Sequence, residues 1–496
     1  MSFISLLSIS PLTIVVVVLC VVALIDAYAR NSKRLPLPPG PRGLPYIGFS
    51  NVPRKRNWLA YIELGKKYGD LIHYTRFGQR YLIVNSLEAA DSILQKNARF
   101  TSDRPTFSAL DQISGWGRLL VMTRYSEEWR EDRKMFHQNF RPEVVSQFHP
   151  AQIQGVNKFI SKLRTSKEPL MDQISTFAHQ AIFSAVYGLE IETNKDDMAK
   201  NGQEVVERTE TPLIPGCDAY KYIPFIHLLP SWFPGGHIKV AHQTLRGVFE
   251  EVFERPWNLM MEAMKVNENH SSLLATMISE MSSDAPKEEL IKIKEMGGQA
   301  VVAGADTSTS TIATFFMAMS LYPEVQAKAQ QELDSVLGPG KLPTYEDRES
   351  LPYIEGIFRE VFRWHPVLPM GIPHVTSEDI FYEEYCIPKK TIIFPNIWAM
   401  LHDPTTMESP EKFIPERHLR SDGKAESNLN TILAFGFGRR ICAGRWMAND
   451  LVWLVITSVL ATMNISTMPN KNQEDYFRDG AFCLPKALDF TVSPRS

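Results

Sequence analysis

The stretch Phe435-Gly-Phe-Gly-Arg-Arg-Ile-Cys-Ala-Gly444 gathers residues that could do chemistry together. A lone cysteine is usually a small buried hydrophobe, and Cys442 alone would be read that way. Its neighbours argue otherwise. Gly436, Gly438 and Gly444 lift steric limits, so the backbone can fold tightly and approach a ligand closely. Backbone N–H groups here, with the start of the helix expected after Gly444, could stabilise a thiolate. Arg440, two residues before the cysteine, is placed to pair with an anion. The chemistry implied is one ionised sulfur presented by a tight loop.

Five further constellations carry reactive types at telling spacings. Ala303-Gly304-Ala-Asp306-Thr307-Ser lies in an apolar helical run over 299–319. A carboxyl–hydroxyl pair there is costly unless satisfied or used. The hydroxyl bonding back to the preceding turn is the plain reading, and proton handling is the chemical one. Glu360 and Arg363 stand three apart on one helical face, as many surface pairs do. Phe413-Ile-Pro-Glu-Arg417-His follows, 25 residues before the cysteine (442 − 417). Trp129 and Arg133 sit one helical turn apart, and Pro373 precedes His374.

Taken together, these residues resemble the cytochrome P450 monooxygenases. The family signature F-x-x-G-x-R-x-C-x-G is matched by Phe435, Gly438, Arg440, Cys442 and Gly444. Five fixed residues at about 5% each would meet by chance on the order of once in ten thousand chains. Ala443 stands where many members carry proline. The resemblance implies a haem b cofactor with Cys442 as the axial ligand of its iron. It makes Glu360, Arg363 and Arg417 a structural network behind that cofactor, with His418 in place of the usual Phe. Gly304 would leave room for dioxygen, Thr307 would orient a proton-delivering water, and Asp306 would link it to solvent. Trp129, Arg133, His374 and Arg440 would hold the haem propionates. Within the family, SWFPG and FGFGRRICAG are similar to fungal enzymes of the O-methylsterigmatocystin oxidoreductase type.

The elements that must position these groups are mainly helical. Helical patterns cover 126–140, 286–320, 323–337 and 351–364, and another helix follows Gly444. Leu71 to Ser86 reads as a hairpin around Gly78-Gln79, and 367–397 as short strands. The expected fold class is mainly α with a small β portion, an α+β arrangement with the cytochrome P450 fold. One catalytic domain over 49–496 is expected behind an N-terminal anchor over 1–29. A basic, proline-rich hinge over 30–48 carries five prolines between Leu35 and Pro45.

The anchor reading rests on an apolar, uncharged stretch from Met1 to Ile25, long enough to cross a bilayer. A signal peptide would want a basic start and a shorter apolar core, although Ala27-Tyr28-Ala29 is a weak cleavage motif. Arg30, Lys33 and Arg34 follow at once and place the body in the cytosol, implying a single pass through the endoplasmic reticulum membrane. The sequons at Asn269 and Asn464 should then be silent. The whole chain is 44% hydrophobic and 22% charged, which excludes a disordered chain. Its net charge of −3 offers no global basic field for nucleic acid. Five scattered cysteines exclude a disulfide framework or a zinc cluster.

The resemblance also implies an activity. Two electrons and two protons reduce one atom of O2 to water while the other enters a lipophilic substrate, by C–H hydroxylation or epoxidation. No phosphate-binding loop or flavin domain is evident, so electrons should come from NADPH through a separate cytochrome P450 reductase, with cytochrome b5 as a second donor. Arg130, Arg133, Lys134 and Arg439 could form its docking face. The substrate pocket is expected from 101–122, 205–245, 299–307, 367–373 and Phe482. The Ser231-Trp-Phe-Pro-Gly235 patch is either a membrane-dipping turn or a buried one. The fungal resemblance points to tailoring of a secondary metabolite such as a terpenoid or polyketide. The competing class is a haem-thiolate isomerase or dehydratase acting on peroxides, which tends to lack the Asp306-Thr307 pair. A non-catalytic haem carrier would have no use for that pair at all.

Overall fold

Helix signals and hairpin signals both reappear in the computed structural model. It describes residues 35–105, 115–208, 213–215, 228–233, 236–267, 270–466, 476–486, 488 and 490–495. The principal elements in chain order begin with α1 (Asn57–Tyr68), β1 (Leu71–Arg76) and β2 (Gln79–Val84). Next come the helices α2 (Glu127–Phe140), α3 (His149–Thr165), α4 (Leu170–Tyr187), α5 (Asp197–Arg208) and α6 (Gly236–Val266). The central helix α7 (Lys287–Leu321) is followed by α8 (Pro323–Val336) and α9 (Pro352–Trp364). Four short strands succeed them: β3 (His374–Val375), β4 (Ile380–Tyr382), β5 (Tyr385–Ile387) and β6 (Thr391–Pro395). The chain closes on α10 (Arg445–Thr462), β7 (Met463–Ile465) and β8 (Val492–Pro494).

Local chemistry explains why these elements start where they do. Ser126 accepts from the Trp129 backbone N–H at 3.2 Å, and Glu127 and Glu128 occupy the first turn of α2. That cap sets the rotation of the helix carrying Trp129 and Arg133. The β1–β2 hairpin turns on Phe77 and Gly78 at φ 45° and 79°, a pair of positive values that matches the strand twist. β2 then pairs in parallel with β6, which pairs antiparallel with β3, so His374 rides on a sheet.

Helix α7 crosses the middle and packs on α4, α5, α6 and α10. Its second half is closed: Ile312, Phe315, Phe316 and Met319 are all fully buried in the largest core cluster, shared with α3, α9 and α10. The first half borders a different, apolar cluster described below.

The anchor over 1–29 lies outside the described residues. Among the described residues no helix is long and apolar enough to cross a membrane. From Pro36 onward the hinge is hydrogen-bonded to the body. Pro36 and Pro39 carbonyls accept from Cys386 and His73 at 2.8 Å each. A Cβ at Gly40 would fall 1.7 Å from the His73 carbonyl oxygen, so this stretch lies flat against the sheet.

Candidate active site

The cysteine loop is closed by its own backbone. The Cys442 N–H donates to the Phe435 carbonyl at 2.8 Å, and Phe435 packs on Phe362 of α9. Gly438 has φ 56°, and a Cβ there would meet the Leu94 carbonyl oxygen at 2.5 Å. Only glycine fits that close approach. Gly444 differs: its φ is −88° and a Cβ would enter open space. The protein alone gives no steric reason for glycine there, contrary to the expectation from sequence.

Cys442 remains accessible, whereas the other described cysteines, Cys386 and Cys483, are buried. Surrounding protein nevertheless desolvates its thiol and pushes the pKa up. The Arg133 charge and the Gly444 and Arg445 N–H groups pull in the opposite direction. At Cys483 burial outweighs the Arg56 charge and drives the thiol up to about 12.

Around the cysteine, buried cations outnumber anions. Arg440 donates to the carbonyls of Ser102 (2.7 Å), Leu120 (3.1 Å) and Thr123 (2.8 Å), and its guanidinium lies 4.1 Å from the Trp129 ring centroid. Burial lowers it to about 9. Arg133 donates to the Ile441 carbonyl at 2.5 Å and faces inward beside Cys442, so it is not part of a docking surface. Arg130, Lys134 and Arg439 are exposed as expected. The Trp129 indole donates to the Leu120 carbonyl at 3.2 Å, and His374 Nδ1 lies 2.8 Å from the Thr101 carbonyl.

A fifth residue, not singled out from sequence, joins them. Arg104 is 2% exposed and donates to Val121 (2.7 Å) and Pro373 (2.6 Å) carbonyls. Burial and the nearby Arg440 charge drive its pKa well down. The neighbouring carboxylate, Asp103, is claimed by Arg124 at 2.5 Å. Burial alone would raise Asp103, but Arg124 and the Tyr125 and Arg104 N–H groups hold it below the usual range. Arg104, Arg133 and Arg440 therefore meet only carbonyl oxygens. Buried charges without counter-ions are costly, so the set calls for a dianionic ligand. The propionates of a haem fit that demand, and Cys442 fits its iron.

Helix α7 presents an unusual face. Ala303 is exposed and Gly304 and Thr307 are half-buried, although they lie midway along a helix packed on several others. Thr307 Oγ1 donates to the Ala303 carbonyl at 2.7 Å, the plain reading of that hydroxyl. Its lone pairs remain free to accept. A Cβ at Gly304 would meet Ile182 of α4 at 3.2 Å, so this glycine also serves close helix packing. Burial raises the Asp306 pKa; His179 and Arg478 oppose that and Glu207 adds to it.

The apolar cluster beside this face draws on all five segments expected to line the pocket. Leu119, Met122, Val205, Leu245, Val302 and Phe482 are buried in it, with Val367 and Leu368 packed against it. A separate surface recess of about 290 Å3, lined by Gly117, Arg118, Phe249 and Glu250 among others, opens at its edge.

Behind the loop, Glu360 is fully buried and accepts five hydrogen bonds. Arg363 supplies two (2.7 and 2.8 Å), Arg417 one (3.0 Å), the Ile414 N–H one (2.8 Å) and His418 Nε2 one (2.8 Å). Burial would raise this carboxyl, but His418 and Arg363 bring it down to about 2. His418 thus has a clear role that its sequence position alone did not give.

The comparisons agree with this geometry. The family model for cytochrome P450 matches residues 38–491. This chain belongs to the cytochrome P450 family. It is 35% identical to cytochrome P450 monooxygenase ple1 of Rhodocybe pseudopiperita, over 94% of this chain and 91% of that protein. Cytochrome P450 monooxygenase COX1 of Coprinopsis cinerea is 34% identical over 88% of this chain and 86% of its own length. Cytochrome P450 monooxygenase claR of Ampulloclitocybe clavipes is 35% identical over 94% and 87%. The chain is accordingly an oxidoreductase that incorporates oxygen, of the fungal type, with haem as its cofactor.

Proposed function

We propose that this cytochrome P450 hydroxylates or epoxidises a lipophilic molecule, as a tailoring step on a fungal terpenoid or polyketide. The observation that carries this reading is the accessible Cys442 paired with the Ala303–Thr307 face and the apolar cluster beside it. When bound, haem supplies the oxygen-activating chemistry. The chain's own residues do the rest. Arg104, Arg133 and Arg440 would hold the propionates by charge-assisted hydrogen bonds. Thr307, donating to Ala303, keeps lone pairs with which to accept from a water and so fix its direction. Asp306, whose pKa burial raises, is the acid placed to pass a proton to the same water. The apolar cluster holds the substrate by shape and excludes bulk water.

Electrons would arrive from NADPH through a separate cytochrome P450 reductase. The exposed Arg130, Lys134 and Arg439 favour an acidic partner, and Arg439 also donates to Tyr125. A membrane location rests on two supports. The apolar residues 3–25 are long enough to span a bilayer. Trp232 and Phe233 are 80% and 44% exposed, which favours a membrane-contacting turn over a buried one. Deleting residues 1–29 should release the protein from tight membrane association while haem stays bound. Protease protection of the body inside sealed vesicles would contradict the cytosolic orientation.

The activity is tested by adding reductase, NADPH and compounds that shift the haem from low to high spin, chosen from a terpene and aromatic panel. A product heavier by one oxygen atom, formed with NADPH and O2 consumption, is expected. Conversion of a peroxide substrate without NADPH would favour the isomerase or dehydratase class instead.

A further inference from the structure

One buried titratable side chain has no part in the site as described. His179, on α4, is fully buried. Its Nδ1 lies 2.8 Å from the Ser175 carbonyl, which can only accept, so Nδ1 carries a proton. The ring is fixed further by Ser175, whose hydroxyl lies 3.5 Å from Nδ1 and accepts from Gln203 of α5 at 3.0 Å. The other nitrogen, Nε2, is buried with no hydrogen-bond partner. A buried polar atom left unpaired next to a functional helix asks for an explanation.

The surroundings supply one. Gly304 lets α4 come within contact of α7, through Ile182, one turn beyond His179. Asp306 lies two residues after Gly304 and feels the His179 charge. The other titratable groups facing Asp306 are Glu207 of α5 and Arg478 of the 476–486 segment, which are exposed and half-exposed and lie 3.5 Å apart. His179 is therefore the only buried base among the described groups that act on this carboxyl.

We propose that His179 is a positioning residue for proton delivery, its Nε2 sharing a single proton with Asp306 through one bridging water. When Asp306 gives that proton to the water at Thr307, a carboxylate and a neutral imidazole remain. One solvent proton, entering on the side of Glu207 and Arg478, restores the pair. This rests on the monooxygenase reading and assigns the second partner of its acid.

The test uses the full-length holoenzyme with reductase and the variants His179→Gln, Asp306→Asn and their double. His179→Gln keeps a hydrogen-bonding side chain but cannot exchange a proton at neutral pH. Product formed per NADPH should fall about ten-fold in each single variant, the lower end for general acid–base positioning. Whatever pH dependence of coupling the shared proton gives the wild type should change in both. The double variant should be no worse than either single one. Ferrous–CO absorption and substrate-induced spin shifts should stay as in the wild type, so their loss would count against the monooxygenase reading rather than this one. Wild-type coupling and pH profile in His179→Gln, or additive losses in the double variant, would overturn the proposal. Should His179→Gln fail to fold, ¹⁵N-histidine spectra of the wild type and Asp306→Asn decide. One imidazole Nε2 signal should change its titration midpoint, and no responding histidine would overturn the assignment.

Discussion

Two buried charge clusters flank the cysteine loop, and they are built on opposite plans. Behind it, Glu360 is met by two arginines, a histidine and a backbone N–H, and every donor reaches the carboxylate within 3.0 Å. Beside it, Arg104, Arg133 and Arg440 meet carbonyl oxygens, and the nearby Asp103 is spoken for by Arg124. The first cluster is centred on a fully buried carboxylate whose two oxygens are both paired, with Arg417 and His418 half-buried at its edge. The second carries surplus positive charge next to an accessible sulfur. A complete buried network serves the fold, whereas an incomplete one marks where a charged ligand binds.

That contrast can be broken from either side. The largest effect belongs to Glu360→Gln, which leaves buried arginines without a counter-charge and should cost about 3–5 kcal/mol. Loss of most folded protein, read by thermal denaturation, is expected. The same cluster has a pH signature. Glu360 is brought from 4.5 to about 2 by folding, so its contribution is complete above pH 4.5. It is lost as pH falls from 4.5 toward 2, up to about 3 kcal/mol for this group. His418→Phe should leave less of it, and unchanged acid stability in that variant would remove His418 from the network.

The incomplete cluster predicts the reverse pattern. Arg104→Leu removes a buried charge whose one neighbouring carboxylate, Asp103, is already paired with Arg124, so the apoprotein should lose little stability. Haem transfer to a scavenging globin should instead speed up about ten-fold, the worth of one charge-assisted contact. Destabilised apoprotein with unchanged haem retention would show that Arg104 serves the fold. The smallest effect concerns Thr307→Ala. Haem, CO and substrate binding should persist while electrons drain to hydrogen peroxide, with product per NADPH down about ten-fold or less. Unchanged coupling would return Thr307 to the role of a helix-satisfied hydroxyl.

The sequence was most legible where function compresses into short spacing. The Phe435–Gly444 loop, the Glu360–Arg363 pair and the helices over 127–140, 287–321 and 352–364 all stand where spacing and periodicity put them. Contacts distant in sequence were not legible. Arg104 reaches Pro373 across 269 positions, and no local pattern marks it. His418 sits in a recognisable segment, yet only the fold brings it to Glu360, 58 residues away. The contact of Gly304 with Ile182 of α4 is likewise a matter of helix packing that sequence does not display.

The central claim is that Cys442, alone among the cysteines, ligates a haem iron held by this loop. The direct measurement is the absorption spectrum of the purified ferrous protein with carbon monoxide. Thiolate donation to the iron would give the red-shifted band for which the family is named. Cys442→Ala should abolish it, while Cys217→Ala and Cys386→Ala retain it. Persistence of that band in Cys442→Ala would contradict the account.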